Sequence, residues 1–388
     1  MLKRIIVFWS CIMFFGGFVL INRNVKAESE FNTDCENYCL METDGGRVLK
    51  SKNADERVSP ASITKIMTLL IACEQIKNNK LNMSDLVTTS AYAKSMGGSQ
   101  VFLEEGETQT VEDLLKCIVI ASGNDASVAL AEHICGSEEK FVDLMNKKAE
   151  ELNMINTHFV DCCGLTDSDE HYTSAKDVAI MSRELINKYP FILNYSSTWM
   201  DKIIHKTKKG TKEFVLSNTN KLLKMNSSVL GLKTGSTSKA GYCVSAYAKS
   251  DKLNLISVIM GADNNKKRFI EADKLIKYGL SNYKIYELKK HQGIVKVSKG
   301  DRNIIEYMEE KNFTYLLKKD ESEKNISTRM LQTKVDAPVN KGEIVGEIVY
   351  MYNGKEIAKG KLLAKENVRK ANILNCMKKI YYRLLVKI

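Results

Sequence analysis

Apolar and polar positions change period several times along this chain, and each change predicts a different element. Tyr38-Cys39-Leu40-Met41-Glu42-Thr43 and Arg47-Val48-Leu49-Lys50 flank Asp44-Gly45-Gly46, which predicts a β-hairpin. Ser59-Pro60-Ala61-Ser62 then opens a helix whose apolar face is Ile66, Met67, Leu69, Leu70 and Cys73. Val111 to Ala121 reads as a second, buried helix, and Ala126 to Cys135 begins a third. Ser122-Gly123-Asn124-Asp125 is therefore the corner between them. Phe141 to Leu152 and Asp177 to Asn187 are amphipathic helices, and Phe269 to Tyr278 is a closing one. Gly231-Leu232-Lys233-Thr234-Gly235 precedes two strands, Tyr242 to Ala248 and Leu253 to Met260, with Ser250-Asp251-Lys252 as their turn. With the first hairpin these predict a mainly antiparallel sheet of about five strands, covered by helices. The fold class is α+β.

Composition shifts near Lys284. Gly293 to Lys299, Phe313 to Leu317 and Ile344 to Tyr352 are short β-rich runs, and Asn353-Gly354-Lys355 is a turn to a further strand. The stretch 284–365 thus reads as a small all-β domain. The last stretch, 366–388, is a charged spacer and a helix. Ile373, Leu374, Met377, Ile380, Tyr381, Leu384, Leu385 and Ile388 repeat at helical spacing, while Lys378, Lys379, Arg383 and Lys387 fall mostly elsewhere on the wheel. A basic amphipathic helix at a terminus suits the plane of a membrane surface better than docking on its own domain.

The other end predicts export. Lys3 and Arg4 precede an almost wholly apolar run, Ile5 to Ile21, and Val25-Lys26-Ala27 offers small residues for cleavage after Ala27. The expected organisation is a signal peptide at 1–27, a catalytic domain at 28–283, then the β-rich domain and the terminal helix. The expected location is the extracytoplasmic face of the cell membrane or the cell wall. The net charge of +11 favours anionic lipid or wall polymer. Nucleic acid is a poor partner, because no basic stretch carries interleaved stacking aromatics. Of ten cysteines, Cys11 falls in the signal, and the odd remainder fits a disulfide framework badly. Cys73, Cys117, Cys135 and Cys243 read as buried small hydrophobes; Cys35 and Cys39 lack a partner pair at metal-ligand spacing, and the neighbours Cys162 and Cys163 would strain as a bridge. Mostly free thiols are expected.

Three short motifs carry the chemistry. Ser62-Ile63-Thr64-Lys65 places a hydroxyl and an amine on one face of a helix start, so Lys65 can reach Ser62. Three other serines precede a lysine at this spacing (Ser137, Ser236 and Ser281), but only Ser62 opens an apolar helix. Lys65 must be neutral to act as a base, through burial and nearby positive charge such as Lys233. Ser122-Gly123-Asn124 at the helix corner points two polar side chains into a cleft, with Gly123 expected to allow the turn; alone, these residues fit helix capping better. Lys233-Thr234-Gly235 occurs once. Together the three supply a nucleophile, a base, a proton-relay serine and a basic strand edge, which is what acyl transfer at an amide bond requires.

Order and spacing resemble the serine-type D-alanyl-D-alanine carboxypeptidases, the low-molecular-weight penicillin-binding proteins. Ser59-Pro60-Ala61, Asn124-Asp125-Ala126, His171-Tyr172-Thr173-Ser174-Ala175 and Asn218-Thr219-Asn220-Lys221-Leu222-Leu223 add to the likeness, which covers nearly the whole mature chain. The resemblance implies a penicillin-binding-protein/β-lactamase-like catalytic domain acting on peptidoglycan stem peptides. Ser62 would attack between the last two D-alanines, Lys65 would take its proton, and Ser122 would relay a proton to the leaving D-alanine with Lys233. Asn124 would bind the substrate backbone, Lys233 and Thr234 the terminal carboxylate. Gly235 would let the ligand lie against the strand, and the amides of Ser62 and Ser236 would form the oxyanion hole. It implies no metal or cofactor, and acylation of Ser62 by β-lactams. One stretch departs from the family pattern: Asp161-Cys162-Cys163-Gly164-Leu165 stands where a proline-histidine pair often precedes Gly-Leu, which bears on loop packing or substrate preference.

Two other readings compete. A class A-type β-lactamase needs a deacylating carboxylate, and Glu150/Asn153 and Glu184/Asn187 have the spacing but sit on helical surfaces. A D,D-endopeptidase is chemically close. A non-catalytic wall-binding scaffold has no need of Ser62 and Lys65.

Overall fold

The computed structural model describes residues 31–385, apart from 209, 252, 332 and 333. The expected signal peptide, Lys252 of the expected turn, and Lys387 and Ile388 of the expected terminal helix lie outside the described residues, as do the side chains of Lys378, Lys379 and Arg383.

The hairpin forms where the alternation places it. Strand β1 (Asn37–Glu42) pairs antiparallel with β2 (Val48–Lys52). The Glu42 carboxylate closes the turn, accepting from the amides of Asp44, Gly45 and Arg47 at 2.9, 3.1 and 2.9 Å. Helix α1 (Lys65–Lys77) follows a short 3-10 turn at Ala61–Thr64. It is buried on every side from Lys65 to Cys73, so it is a central helix rather than one with a single apolar face. Then come α2 (Val111–Ile120), α3 (Asn124–Cys135), α4 (Glu138–Glu151) and α5 (Ala175–Lys188). A hairpin of β3 (Met200–Thr207) and β4 (Gly210–Ser217) was not expected; its buried Ile203 and His205 alternate with exposed Lys202, Ile204 and Lys206 in a lysine-rich segment.

Lys233-Thr234-Gly235 lies within a strand of its own, β5 (Val229–Thr237), beside β6 (Gly241–Ala248) and β7 (Leu255–Ala262). The five strands run in the order β2-β1-β7-β6-β5, all neighbours antiparallel, with β5 at one edge. Helices cover both faces. Ser245 is paired with Val258 and Ser257 with Ala246, so the two serines point to opposite sides. Ser245 meets Ser182 of α5 at 2.8 Å, and Ser257 donates to the Ala272 carbonyl of α6 (Asn265–Asn282) at 3.1 Å.

Beyond α6 the chain is nearly all strand: β8 (Tyr283–Glu287), β9 (Gln292–Ser298), β10 (Ile304–Glu309), β11 (Thr314–Lys318), β12 (Ile326–Met330), β13 (Lys334–Asp336), β14 (Ile344–Tyr352) and β15 (Lys355–Ala364). Six form one sheet, β12-β14-β15-β10-β9-β13, with β9 and β13 parallel; β8 and β11 pair separately. Strict alternation along β10 puts Ile305, Tyr307 and Glu309 inside. Helix α7 (Ile373–Leu385) ends the described chain. A region of helices and an antiparallel sheet followed by an all-β region is the α+β architecture expected. Among the described residues eight cysteines are free thiols; Cys73, Cys117 and Cys243 are buried as expected and Cys135 is half-buried.

Candidate active site

Everything in the site is built against one tight turn. Ala61 adopts a left-handed φ of 47°, and the turn carries Ser62 half-exposed above the fully buried Lys65. Thr64 Oγ1 donates back to the Ala61 carbonyl at 2.8 Å and lies 2.8 Å from His171 Nε2. His171 Nδ1 accepts the Val160 amide at 3.0 Å, so the ring proton sits on Nε2 and faces Thr64. Burial pulls the His171 pKa below its ordinary value, in keeping with this neutral form.

Lys65 Nζ lies 2.9 Å from Ser62 Oγ, 2.6 Å from Asn124 Oδ1 and 2.7 Å from the Cys163 carbonyl. Two of these partners can only accept. A neutral amine has two hydrogens for them and one lone pair left for the Ser62 hydroxyl, which is the arrangement of a base ready to take that proton. Burial pushes the Lys65 pKa down, against the opposing pull of Cys163, Cys162, Asp161 and Asp125. Lys233 is buried as well; its Nζ donates to Ser122 Oγ at 2.8 Å and to the Thr234 carbonyl at 2.9 Å. Its pKa falls well below the ordinary lysine value, first through burial, then through the charges of Lys65 and Arg268.

The corner between α2 and α3 differs in one detail from expectation. The left-handed residue is Ser122 itself, at φ 63°, and Gly123 sits in close quarters: a Cβ there would fall 3.1 Å from Asp125 Oδ1 and 3.3 Å from Val101 and Ala126 side-chain atoms. Neither Ser122 nor Asn124 caps α3, whose N-cap is Gly123. Asn124 instead donates through Nδ2 to the Gly97 carbonyl at 2.7 Å while its oxygen takes the lysine. That fixes the amide orientation and leaves one Nδ2 hydrogen for a ligand. Asp125 accepts from the amides of Val101 and Leu103, tying the 97–103 segment to the corner.

Strand β5 forms the opposite wall. Thr234 Oγ1 lies 2.7 Å from Thr219 Oγ1. A Cβ on Gly235 would fall 2.9 Å from the Pro60 carbonyl and 3.0 Å from the amide nitrogens of Ser62 and Ile63. The missing side chain keeps the space in front of the Ser62 amide open. Ser236 is exposed at the end of the strand, and Arg268 Nη1, from the buried side, donates to the Gly235 carbonyl at 2.9 Å.

The sequence model described as D-alanyl-D-alanine carboxypeptidase matches residues 24–264, and that of the penicillin-binding protein 5 C-terminal domain matches 281–370. The chain belongs to the D-alanyl-D-alanine carboxypeptidase family. It is 42% identical to the D-alanyl-D-alanine carboxypeptidase DacF of Bacillus subtilis over 91% of each chain. It is 35% identical to DacC of Escherichia coli, covering 87% of this chain and 85% of that one. Among solved structures, penicillin binding protein 5 of Haemophilus influenzae aligns with TM-score 0.72 at 31% identity, over 87% of this chain and 98% of that one.

In this family member each motif has its residues in the site: Lys65 contacts Ser62 and Asn124, Lys233 contacts Ser122, and Lys233, Thr234 and Gly235 share the strand β5, whose Gly235 lies against the Ser62 turn. The carboxylates of the competing β-lactamase reading stand elsewhere: Glu150 is exposed on α4, and Glu184 pairs with Lys188 while Asn187 donates to the Thr43 carbonyl. Reasoning from residues missed the Cys163 carbonyl, Thr219 and Arg268. Backbone carbonyls leave no trace in side-chain identity, and nothing local marks Arg268; Thr219 stood only inside a family motif.

Proposed function

We propose that this protein removes the terminal D-alanine from peptidoglycan stem pentapeptides through an acyl-enzyme on Ser62. The observation that carries the reading is the Lys65 amine, buried, with two acceptor-only partners and its remaining position on Ser62 Oγ at 2.9 Å. Ser62 Oγ attacks the carbonyl carbon of the last peptide bond as its proton passes to Lys65. The C–N bond then breaks, and the leaving amine takes a proton relayed through Ser122, which contacts Lys233. Water hydrolyses the ester, releasing the shortened peptide as a carboxylate and restoring the hydroxyl. Asn124 binds the substrate backbone, Lys233 and Thr234 the terminal carboxylate. Gly235 leaves room for the ligand, and the Ser62 and Ser236 amides hold the oxyanion. β-Lactams acylate the same serine.

The proposed organisation is a signal peptide at 1–27, the catalytic domain at 28–283, the β-rich domain at 284–365 and a membrane-associating segment at 366–388, placing the enzyme on the extracytoplasmic side of the membrane. The state of α7 supports the last of these: Ile373, Leu374, Met377, Ile380 and Leu384 are each at least 60% exposed, so the helix is not docked through them on its own domain. Among the described residues no helix is long and apolar enough to cross a membrane; the role proposed for α7 is that of an in-plane helix.

The test is D-alanine release from a stem pentapeptide by the protein and by Ser62→Ala. Release that depends on Ser62 is expected; equal release by both would end the proposal.

A further inference from the structure

The loop that departs from the family pattern is folded by one side chain. Asp161 Oδ1 accepts from the amides of Cys163, at 2.8 Å, and Gly164; Oδ2 accepts from those of Leu165 and Thr166 at 3.1 and 2.8 Å. Four successive N–H groups thus converge on one carboxylate. The fifth amide, Cys162 N–H, goes to Glu138 Oε1 at 2.9 Å. Of the carbonyls, that of Cys162 takes the Thr68 hydroxyl at 2.5 Å and that of Cys163 takes Lys65 Nζ at 2.7 Å. The loop then presses on the nucleophile turn so closely that a Cβ on Gly164, at φ 76°, would fall 1.8 Å from the Ala61 carbonyl.

We propose that Asp161 is a positioning residue for the reaction: by gathering these four amides it aims the Cys163 carbonyl at Lys65 and so holds the amine against Ser62. Asp161 does not touch Lys65 or Ser62 Oγ. It acts through the backbone, and through its charge. Burial opposes its ionisation, but the amides of Gly164, Thr166 and Cys163 that donate to it outweigh burial and hold its carboxyl below the ordinary range. It is therefore an anion, faced by His171 and by Glu138 of α4. Lys65 feels Cys163, Cys162 and Asp161 from the loop, Asp125 from α3 and Lys233 from β5. Removing the Asp161 charge takes away one of the groups that favour the ammonium form.

This inference rests on Lys65 being the base, so the full chain and its Asp161→Asn and Asp161→Ala variants are measured together. The readout is the second-order rate of acylation by a fluorescent penicillin against pH, with thermal melting of the same samples. Misaiming the amine is expected to slow acylation by about 10–100-fold. In the same variants the acid limb of the profile should move to lower pH, because the lost anion no longer stabilises protonated Lys65. A loop with a purely structural role would slow the reaction without moving that limb, and this result, or an unchanged rate, overturns the inference. Asp161→Asn keeps one acceptor oxygen and decides the matter if Asp161→Ala does not fold. Failure of the unsubstituted chain to acylate would instead overturn the reading of Ser62 and Lys65, and this inference with it.

Discussion

At the scale of residues, the account rests on an amine that has to lose a proton before it can accept one. Burial lowers the Lys65 pKa, so the neutral form persists to lower pH than for a lysine in water. Acylation should therefore be fully developed above that lowered pKa and fall as pH drops through it, which stopped-flow penicillin acylation will show as a single acid limb. Lys65→Arg keeps the shape of a cation but cannot deprotonate. It should fold and lose acylation by on the order of 10²–10⁴-fold. Gly164→Ala tests the packing: with φ at 76° and the Ala61 carbonyl where the new methyl must go, a loss of roughly 2–4 kcal/mol in unfolding stability is expected, with slower acylation. The side chains of the site were legible because each motif has its own spacing. Their support was not: Lys65 is held by a carbonyl, and a carbonyl at Cys163 looks the same whatever residue carries it. Ser122 shows a related blind spot, since the glycine beside it was the natural candidate for the left-handed position and Ser122 holds it instead.

At the scale of elements, periodicity worked where burial is one-sided or complete. The first hairpin, the helix corner and β14 all stand where alternation or helical spacing put them. It gave no expectation for β3, β4, β10, β12 and β13; in β3 and β4 the exposed faces carry Lys202, Lys206 and Lys212, which blur the apolar alternation. Helix α2 delivers the corner to the site, and its start is fixed by Thr110, whose Oγ1 accepts the Asp113 amide at 3.1 Å and donates to Asp113 Oδ2 at 2.8 Å. Thr110→Ala should cost about 1 kcal/mol in denaturant unfolding. Because the corner is held separately by Asn124 and Asp125, the acylation rate of the folded protein should stay as it was.

At the scale of the whole molecule, a side-chain to backbone contact joins the catalytic region to the all-β region: Arg47 Nη1 donates to the Leu316 carbonyl at 3.1 Å, and Tyr283 at the boundary donates through Oη to the Leu49 carbonyl at 3.1 Å. The β-region was visible as a change of composition, not as a topology, because the pairing of β9 with β13 across a long connection leaves no local signal. Helix α7 ends the described chain with its apolar side chains in solvent. Deleting residues 371–388 should lower co-sedimentation with anionic vesicles while leaving hydrolysis of a soluble pentapeptide unchanged. Equal vesicle binding with and without this segment would count against the membrane role proposed for α7.

The most direct test is the intact mass of the protein after reaction with penicillin, with peptide mapping of the adduct and a parallel assay of D-alanine release from a stem pentapeptide. The account requires one penicilloyl group on Ser62, absent in Ser62→Ala, and one D-alanine released per peptide. An adduct on another residue, or peptide cleavage that survives the loss of Ser62, would contradict it.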